Sequence, residues 1–304
     1  MTDLKTLTTQ FLTACTAANL SPKTIRWYRD SLQQFQSFVG NNDFQNPDTI
    51  RAYIASLRTR KSRYPSHPKR PETQGGLSPD TINGHVRALR RFFKWAHRDG
   101  KLPSDLSIHL PKIQRQRHIP RGISQDDFAA LVNAAKSSQF SARDQALLFL
   151  LRDTGCRSAE IANLKKEDVD LNRGIILVRG KGGRERFAFL SPPTQRILDE
   201  YLKSTHTDSE YLFYSSRGKR FTTATLSQIL SRLKRKAGVK GRANPHSFRH
   251  AFARDYLKAG GNLAALSQTL GHTDLKTTMI YAQMSVEDLK EQHSKYSPLK
   301  LWIS

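Results

Sequence analysis

The chain has 304 residues, long enough for two ordinary domains, and its 37% hydrophobic content without low-complexity tracts excludes a mostly disordered polymer. Lysine and arginine total 50 against 26 aspartates and glutamates, a net charge of +24. The excess is spread over both halves, with 21 basic and 8 acidic residues in 1–121 and 29 and 18 in 122–304, so both halves are expected to meet a polyanion. No run approaches the ~20 apolar residues of a membrane span. The N-terminal MTDLKTLTTQFLTAC lacks the basic region, long apolar stretch and cleavage site of a secretion signal. Cys15 and Cys156 form neither a disulfide framework nor a zinc-finger spacing. The expected setting is therefore reducing and cytoplasmic, and Cys156 reads as a small buried thiol that helps helices pack.

Residues 1–105 read as a helical unit. Ser21-Pro22 is a helix start, a capping serine followed by proline at the first helical position, and Ile25, Tyr28, Leu32 and Phe35 follow at helical spacing. A second helix begins near Asp48 and buries Ile50, Tyr53, Ile54 and Leu57. The stretch RTRKSRYPSHPKRPETQGG is a solvent-exposed loop by composition. Ser78-Pro79 starts the next helix, whose apolar face is Ile82, Val86, Leu89, Phe93 and Ala96. On that helix Arg87, Arg91, Lys94 and Arg98 recur as a separate stripe. A basic stripe is often only a solvated face; here, with no acid interleaved and the whole unit basic, it is expected to contact DNA phosphates. Residues 106–121, within a segment of three prolines and several bases, read as an interdomain linker.

Residues 122–304 read as a second, catalytic unit. Ser124-x-x-Asp127 opens it as a capping pair. The pattern is helical except at Gly174–Leu190, where two apolar runs flank GKGG and predict a β-hairpin. GKGG lacks the G-x-x-x-x-G-K-[ST] frame and no helix follows it, so a nucleotide-binding loop is a weak reading. The expected fold class is mainly α with a small β-sheet (α+β). The tail VEDLKEQHSKYSPLKLWIS begins as a helix, and no local core accounts for Leu301, Trp302 and Ile303.

Six polar residues of this unit are spaced so that they can converge on one phosphate: Arg157, Lys181, His246, Arg249, His272 and Tyr281. Arg157 stands at a helix entry after the Thr154-Gly155 break. His246 and Arg249 are three apart and share a helix face. His272 follows the helix-end signal Leu270-Gly271, and Tyr281 is expected in a helix starting near Asp274. The set suits attack on a phosphodiester by the phenol of Tyr281. Arginine forks grip phosphate oxygens without losing their protons, a histidine can accept the phenol proton, and Lys181 on the hairpin tip is placed to protonate the leaving oxygen. No carboxylate cluster accompanies them, so no metal and no cofactor are expected. Taken singly each residue has a duller explanation, such as a core tyrosine, a capping histidine or a turn lysine.

The blocks TGCRSAEIANLKKEDVD, GKGG, PHSFRHAFA, LGHTD and IYAQ, in this order, resemble the tyrosine recombinase (phage integrase) family over most of residues 120–285. The resemblance implies a SAM-like N-terminal core-binding domain, a catalytic domain and a C-shaped clamp on double-stranded DNA. It implies that Tyr281 forms a 3′-phosphotyrosyl link, that Arg157 and Arg249 hold the non-bridging oxygens and that Lys181 protonates the leaving oxygen. His246 would act as acid or base, His272 would bind the phosphate, and Glu160 would support the site. It implies a homotetramer that exchanges strands through a Holliday junction on paired sites, with a partner recombinase or accessory factor an open matter. The tail is expected to dock on a neighbouring subunit. Dimer resolution and integration or excision of a mobile element both fit; a start directly at the core-binding unit points to a simple-site enzyme of the Xer or transposon kind. A type IB topoisomerase and a catalytically silent DNA-binding protein are the alternative readings.

Overall fold

The structure, a computed structural model, describes residues 3–63, 72–113, 122–180, 183–205, 208–215, 218–272, 274–281, 290, 293–295 and 297–301. It divides into two units, Met1–Arg117 and His118–Ser304. Among the described residues no helix is long and apolar enough to cross a membrane.

The first unit is built on α1 (Leu4–Ala17), α2 (Pro22–Val39), α3 (Pro47–Thr59) and α4 (Pro79–Arg98), with a short hairpin of β1 (Ser62–Arg63) and β2 (Thr73–Gln74) between the last two helices. Three of these helices start on proline behind a capping side chain, Ser21, Asn46 or Ser78, which accepts an otherwise unpaired backbone N–H. Their apolar stripes meet in one core that includes Phe11, Leu32, Phe35, Ile50, Tyr53, Leu57, Val86, Leu89 and Phe93. Complete burial of a side chain of this kind contributes about 1.5–3 kcal/mol. Within the core the Tyr53 hydroxyl meets Nδ1 of His85 at 3.1 Å, so two polar tips satisfy each other.

The chain does not leave this unit at residue 106. Residues Leu106–His109 form a 3₁₀ turn, Leu106 and Leu110 are buried in the core of the first unit, and Arg90 donates to the Leu110 carbonyl at 3.3 Å. Apolar residues hidden among prolines and bases make this part of the expected linker an element of the fold; residues 114–121 lie outside the described residues.

The second unit comprises α5 (Gln125–Lys136), α6 (Ser141–Thr154), α7 (Ser158–Asn163), α8 (Pro192–Lys203), α9 (Thr223–Lys236), α10 (Pro245–Lys258), α11 (Leu263–Leu270), the single turn α12 (Lys276–Met279) and a small sheet. The sheet has the order β3-β4-β5 and is antiparallel: β3 (Val169–Asp170), β4 (Ile175–Arg179) and β5 (Glu185–Phe189). The last two are the expected hairpin, and β3 is an addition too short to read from sequence. Ile176 pairs with Ala188 and Val178 with Arg186, so the alternation of a strand puts Arg186 on the same inward face as three core residues. That register carries Arg186 to the site described next.

Candidate active site

Arg157 is the N-cap residue of α7, placed there because Gly155 ends α6 in the left-handed conformation (φ +58°). Glu160, buried one turn into α7, holds it at two points. Its Oε2 accepts from the Arg157 backbone N–H at 2.7 Å, and its Oε1 accepts from Arg157 Nη1 at 2.9 Å. The guanidinium is thus fixed while two-fifths of the side chain stays exposed, 40% against 4% for Glu160. A third group completes the arrangement. Arg186 donates from Nη2 to Glu160 Oε2 at 3.0 Å and from Nε to the Thr269 carbonyl at 2.8 Å, tying β5 to α7 and to the end of α11.

Gly271 ends α11 with φ +64°, its amide bonding back to Gln268 and that of His272 to Ser267, a turn that a side chain would strain. The carbonyls that this turn leaves without a partner in the helix gather the arginines. Arg157 Nη2 donates to Gly271 O at 3.3 Å, and Arg249 Nη2 donates to Leu270 O at 2.6 Å. Arg249 lies on α10, whose start is secured by Asn244 and Ser247 capping each other. It is buried, and its Nη1 also donates to Gly155 O at 2.8 Å. Burial first, and then the Arg157 charge, pull its pKa down to about 10, still well above neutrality.

Arg249 Nη2 also meets His272 Nε2 at 2.8 Å. A guanidinium only donates, so Nε2 accepts and the ring proton sits on Nδ1, which donates to Thr278 Oγ1 at 2.7 Å. Burial and the Arg249 charge hold His272 down to about 4, a neutral ring at pH 7. Thr278 is fully buried on α12, and its carbonyl accepts the Tyr281 N–H at 3.0 Å, which links the histidine to the tyrosine turn.

Tyr281 stands just beyond α12, in a turn and not in the longer helix expected from sequence. Its ring packs on the small cluster of Ala253, Leu266 and Leu270 between α10 and α11. Its hydroxyl meets Nδ1 of His250 at 2.5 Å. Burial raises the pKa of the phenol, and the Arg249 charge opposes that rise.

Five of the expected residues therefore gather within one unit: Arg157, Glu160, Arg249 and His272 around the Gly271 turn, and Tyr281 one turn past Thr278. His246 is on α10 as expected but exposed, one turn before His250, while Arg249 is buried. Lys181 lies outside the described residues; Arg179 and Glu185, at the paired ends of β4 and β5, bracket its position in sequence. Sequence reasoning missed three participants. His250 directly follows Arg249 and is four residues from His246, a spacing that alone put it on the same face. Arg186 needed the strand register to be seen, and Thr278 needed the tautomer of His272.

In the first unit Arg87, Arg91, Lys94 and Arg98 are all exposed on α4. No acid is interleaved in the stripe, although one flanks its end. Asp99 lies 3.6 Å from Arg98, and Arg87 sits over the Trp27 ring at 5.6 Å.

Residues 121–288 match the Phage integrase family. The tyrosine recombinase XerC of Oceanobacillus iheyensis is 28% identical over 92% of this chain and 92% of its own length. The tyrosine recombinase XerA of Thermococcus kodakarensis is 32% identical over 90% of this chain and 89% of its own. A crystal structure of the XerH site-specific recombinase bound to its difH substrate, a pre-cleavage complex, superimposes with a TM-score of 0.70 at 22% identity, covering 94% of this chain and 83% of that one. The mainly helical architecture with its small antiparallel sheet is the fold of that protein.

Proposed function

The chain belongs to the phage integrase family and is a site-specific tyrosine recombinase, a DNA strand transferase, and on that premise we propose that Tyr281 is its nucleophile toward a scissile phosphate of double-stranded DNA. The observation that carries this reading is the convergence of Arg157, Arg249 and His272 on the Gly271 turn, with the Tyr281 phenol close enough to Arg249 to respond to its charge. In this reading the two guanidiniums hold the non-bridging oxygens and stabilise the charge that builds up as the phosphorus is attacked. His272 leaves Arg249 and takes the other tautomer, its Nδ1 accepting from the Thr278 hydroxyl, so that Nε2–H donates to the phosphate, and Glu160 keeps Arg157 aimed. The Tyr281 oxygen bonds to phosphorus, the 5′-oxygen departs with a proton supplied by Lys181, and a 3′-phosphotyrosyl link conserves the bond energy until a second 5′-hydroxyl reverses the step. His246 assists as acid or base.

Arg87, Arg91, Lys94 and Arg98 serve the same reading as phosphate contacts that fix register without reading sequence. Four copies on paired sites exchange strands through a Holliday junction, with or without a partner recombinase or accessory factor. The reaction takes place in the cytoplasm, at the nucleoid, and serves dimer resolution or the movement of a mobile element. A relaxing topoisomerase is not favoured, since relatives matching 90% or more of the chain are recombinases.

The test is a denaturant-resistant adduct on nicked DNA carrying the site. Wild-type protein is expected to form it and Tyr281→Phe to form none while still binding. An adduct retained by the phenylalanine variant would move the nucleophile to another residue.

A further inference from the structure

Three histidines of the second unit are candidates for the phenol proton. His272 has both ring nitrogens engaged, Nε2 by Arg249 and Nδ1 by Thr278. His246 is exposed on α10. His250, one turn further along the same helix and half-buried, places Nδ1 at 2.5 Å from Tyr281 Oη, with ring centroids 5.6 Å apart. We propose that His250 is a catalytic residue, the base that removes the Tyr281 proton during attack and returns it during rejoining. The inference rests on the reading of Tyr281 as the nucleophile.

Several observations support the assignment. An imidazole nitrogen is a far better acceptor than a phenol oxygen, so Tyr281 donates and the His250 proton sits on Nε2. The ring is kept neutral, its pKa lowered first by burial and then by His246, Arg249 and Arg242, so the Nδ1 lone pair is available at pH 7. Packing of the Tyr281 ring on the Ala253, Leu266 and Leu270 cluster fixes the phenol relative to α10, the helix that carries both His250 and Arg249. Proton acceptor and phosphate ligand thus share one rigid element.

The Oη–H bond breaks and its proton passes to His250 Nδ1, while an Oη electron pair forms the bond to phosphorus. The P–O5′ bond breaks, its pair leaves with the 5′-oxygen, and that oxygen takes a proton from the separate acid. Because transfer accompanies attack, no free phenolate has to accumulate against the raised phenol pKa. In rejoining, the incoming 5′-hydroxyl gives its proton to the conjugate base of that separate acid and displaces the tyrosyl oxygen, to which His250 returns the first proton.

The deciding measurement is single-turnover adduct formation by full-length protein on two otherwise identical nicked duplexes, one with the ordinary linkage and one with sulfur in place of the bridging 5′-oxygen. A thiolate leaves without an acid, so the sulfur substrate relieves loss of the proton donor and not loss of the base. His250→Gln is expected to slow adduct formation by about 10²- to 10³-fold on both substrates, within the range for general base catalysis. Free imidazole is expected to raise the rate of His250→Ala several-fold and to leave Tyr281→Phe without adduct. Recovery of His250→Gln on the sulfur duplex would assign His250 to the leaving group instead, and a rate within about threefold of wild type on both would end the proposal. Should His250→Gln melt early, the imidazole response of His250→Ala decides, since packing alone gives none. An adduct from Tyr281→Phe would overturn the nucleophile itself, an outcome distinct from any behaviour of the His250 variants.

Discussion

Glu160 serves two purposes with two oxygens. One closes the first turn of α7 and the other aims the Arg157 guanidinium, while Arg186 keeps the carboxylate from turning away. A charged hydrogen bond of this kind is worth about 1.5–3 kcal/mol, so Glu160→Gln is expected to slow DNA cleavage about 10- to 100-fold with little change in binding. Single-turnover cleavage beside a binding titration checks this; an unchanged rate would show that Arg157 needs no such support. Residues at this scale were unevenly legible. Arg157, Arg249, His272 and Tyr281 could be named because their chemistry and order were informative before any contact was known. Arg186 and Thr278 could not, because an arginine in a strand and a threonine in a helical turn acquire meaning only from register and from the proton inventory of a neighbour. His250 was passed over for His246, since spacing put both on one face and only packing told which nitrogen meets the phenol.

At the scale of elements, α3 and α4 are joined by the buried Tyr53–His85 contact, and burial holds His85 down to about 4 against an ordinary value of 6.5. Between those two values the unfolded chain binds a proton that the folded one refuses, so stability is complete above pH 6.5 and falls as pH drops toward 4. At 1.36 kcal/mol per pH unit the loss is on the order of 3 kcal/mol. Denaturant midpoints of the full chain at pH 7 and pH 4.5 are expected to draw closer together in His85→Gln; an unaltered gap would refute the assignment. Helices α2 and α4 were readable because Ser21-Pro22 and Ser78-Pro79 announce them, and α3 because Ile50, Tyr53, Ile54 and Leu57 recur at helical spacing. The first helix was not. Its threonines are poor helix formers, and the hydroxyls of Thr8, Thr9, Thr13 and Thr16 bond back to carbonyls four residues earlier, a detail with no sequence signature. The buried 3₁₀ turn at Leu106–His109 was masked in the same way by the prolines and bases around it.

For the whole molecule the C-terminal segment is the open end. Leu299 is 58% exposed, and the following apolar Trp302 and Ile303 lie outside the described residues. An apolar side chain as open as that of Leu299 suits a neighbouring copy better than water. A chain ending at Ser297 is expected to bind a single site normally and to lose tetramer formation on paired sites. Sedimentation of the assembled DNA complex checks this, and an intact tetramer would place the subunit contacts elsewhere.

The arginine arrangement also bears on how such a protein finds its target. Among the described residues Arg157 and Arg186 share the single carboxylate of Glu160, and the described hydrogen-bond partners of Arg249 are neutral. The pocket therefore carries a surplus of positive charge for which any phosphodiester is a suitable counterion, whatever bases flank it. Such a pocket cannot discriminate between addresses on a chromosome. Selectivity has to reside in contacts made some distance from the chemistry, where base edges and the deformability of the duplex are read. Target choice could then be redesigned without touching the residues that break the strand.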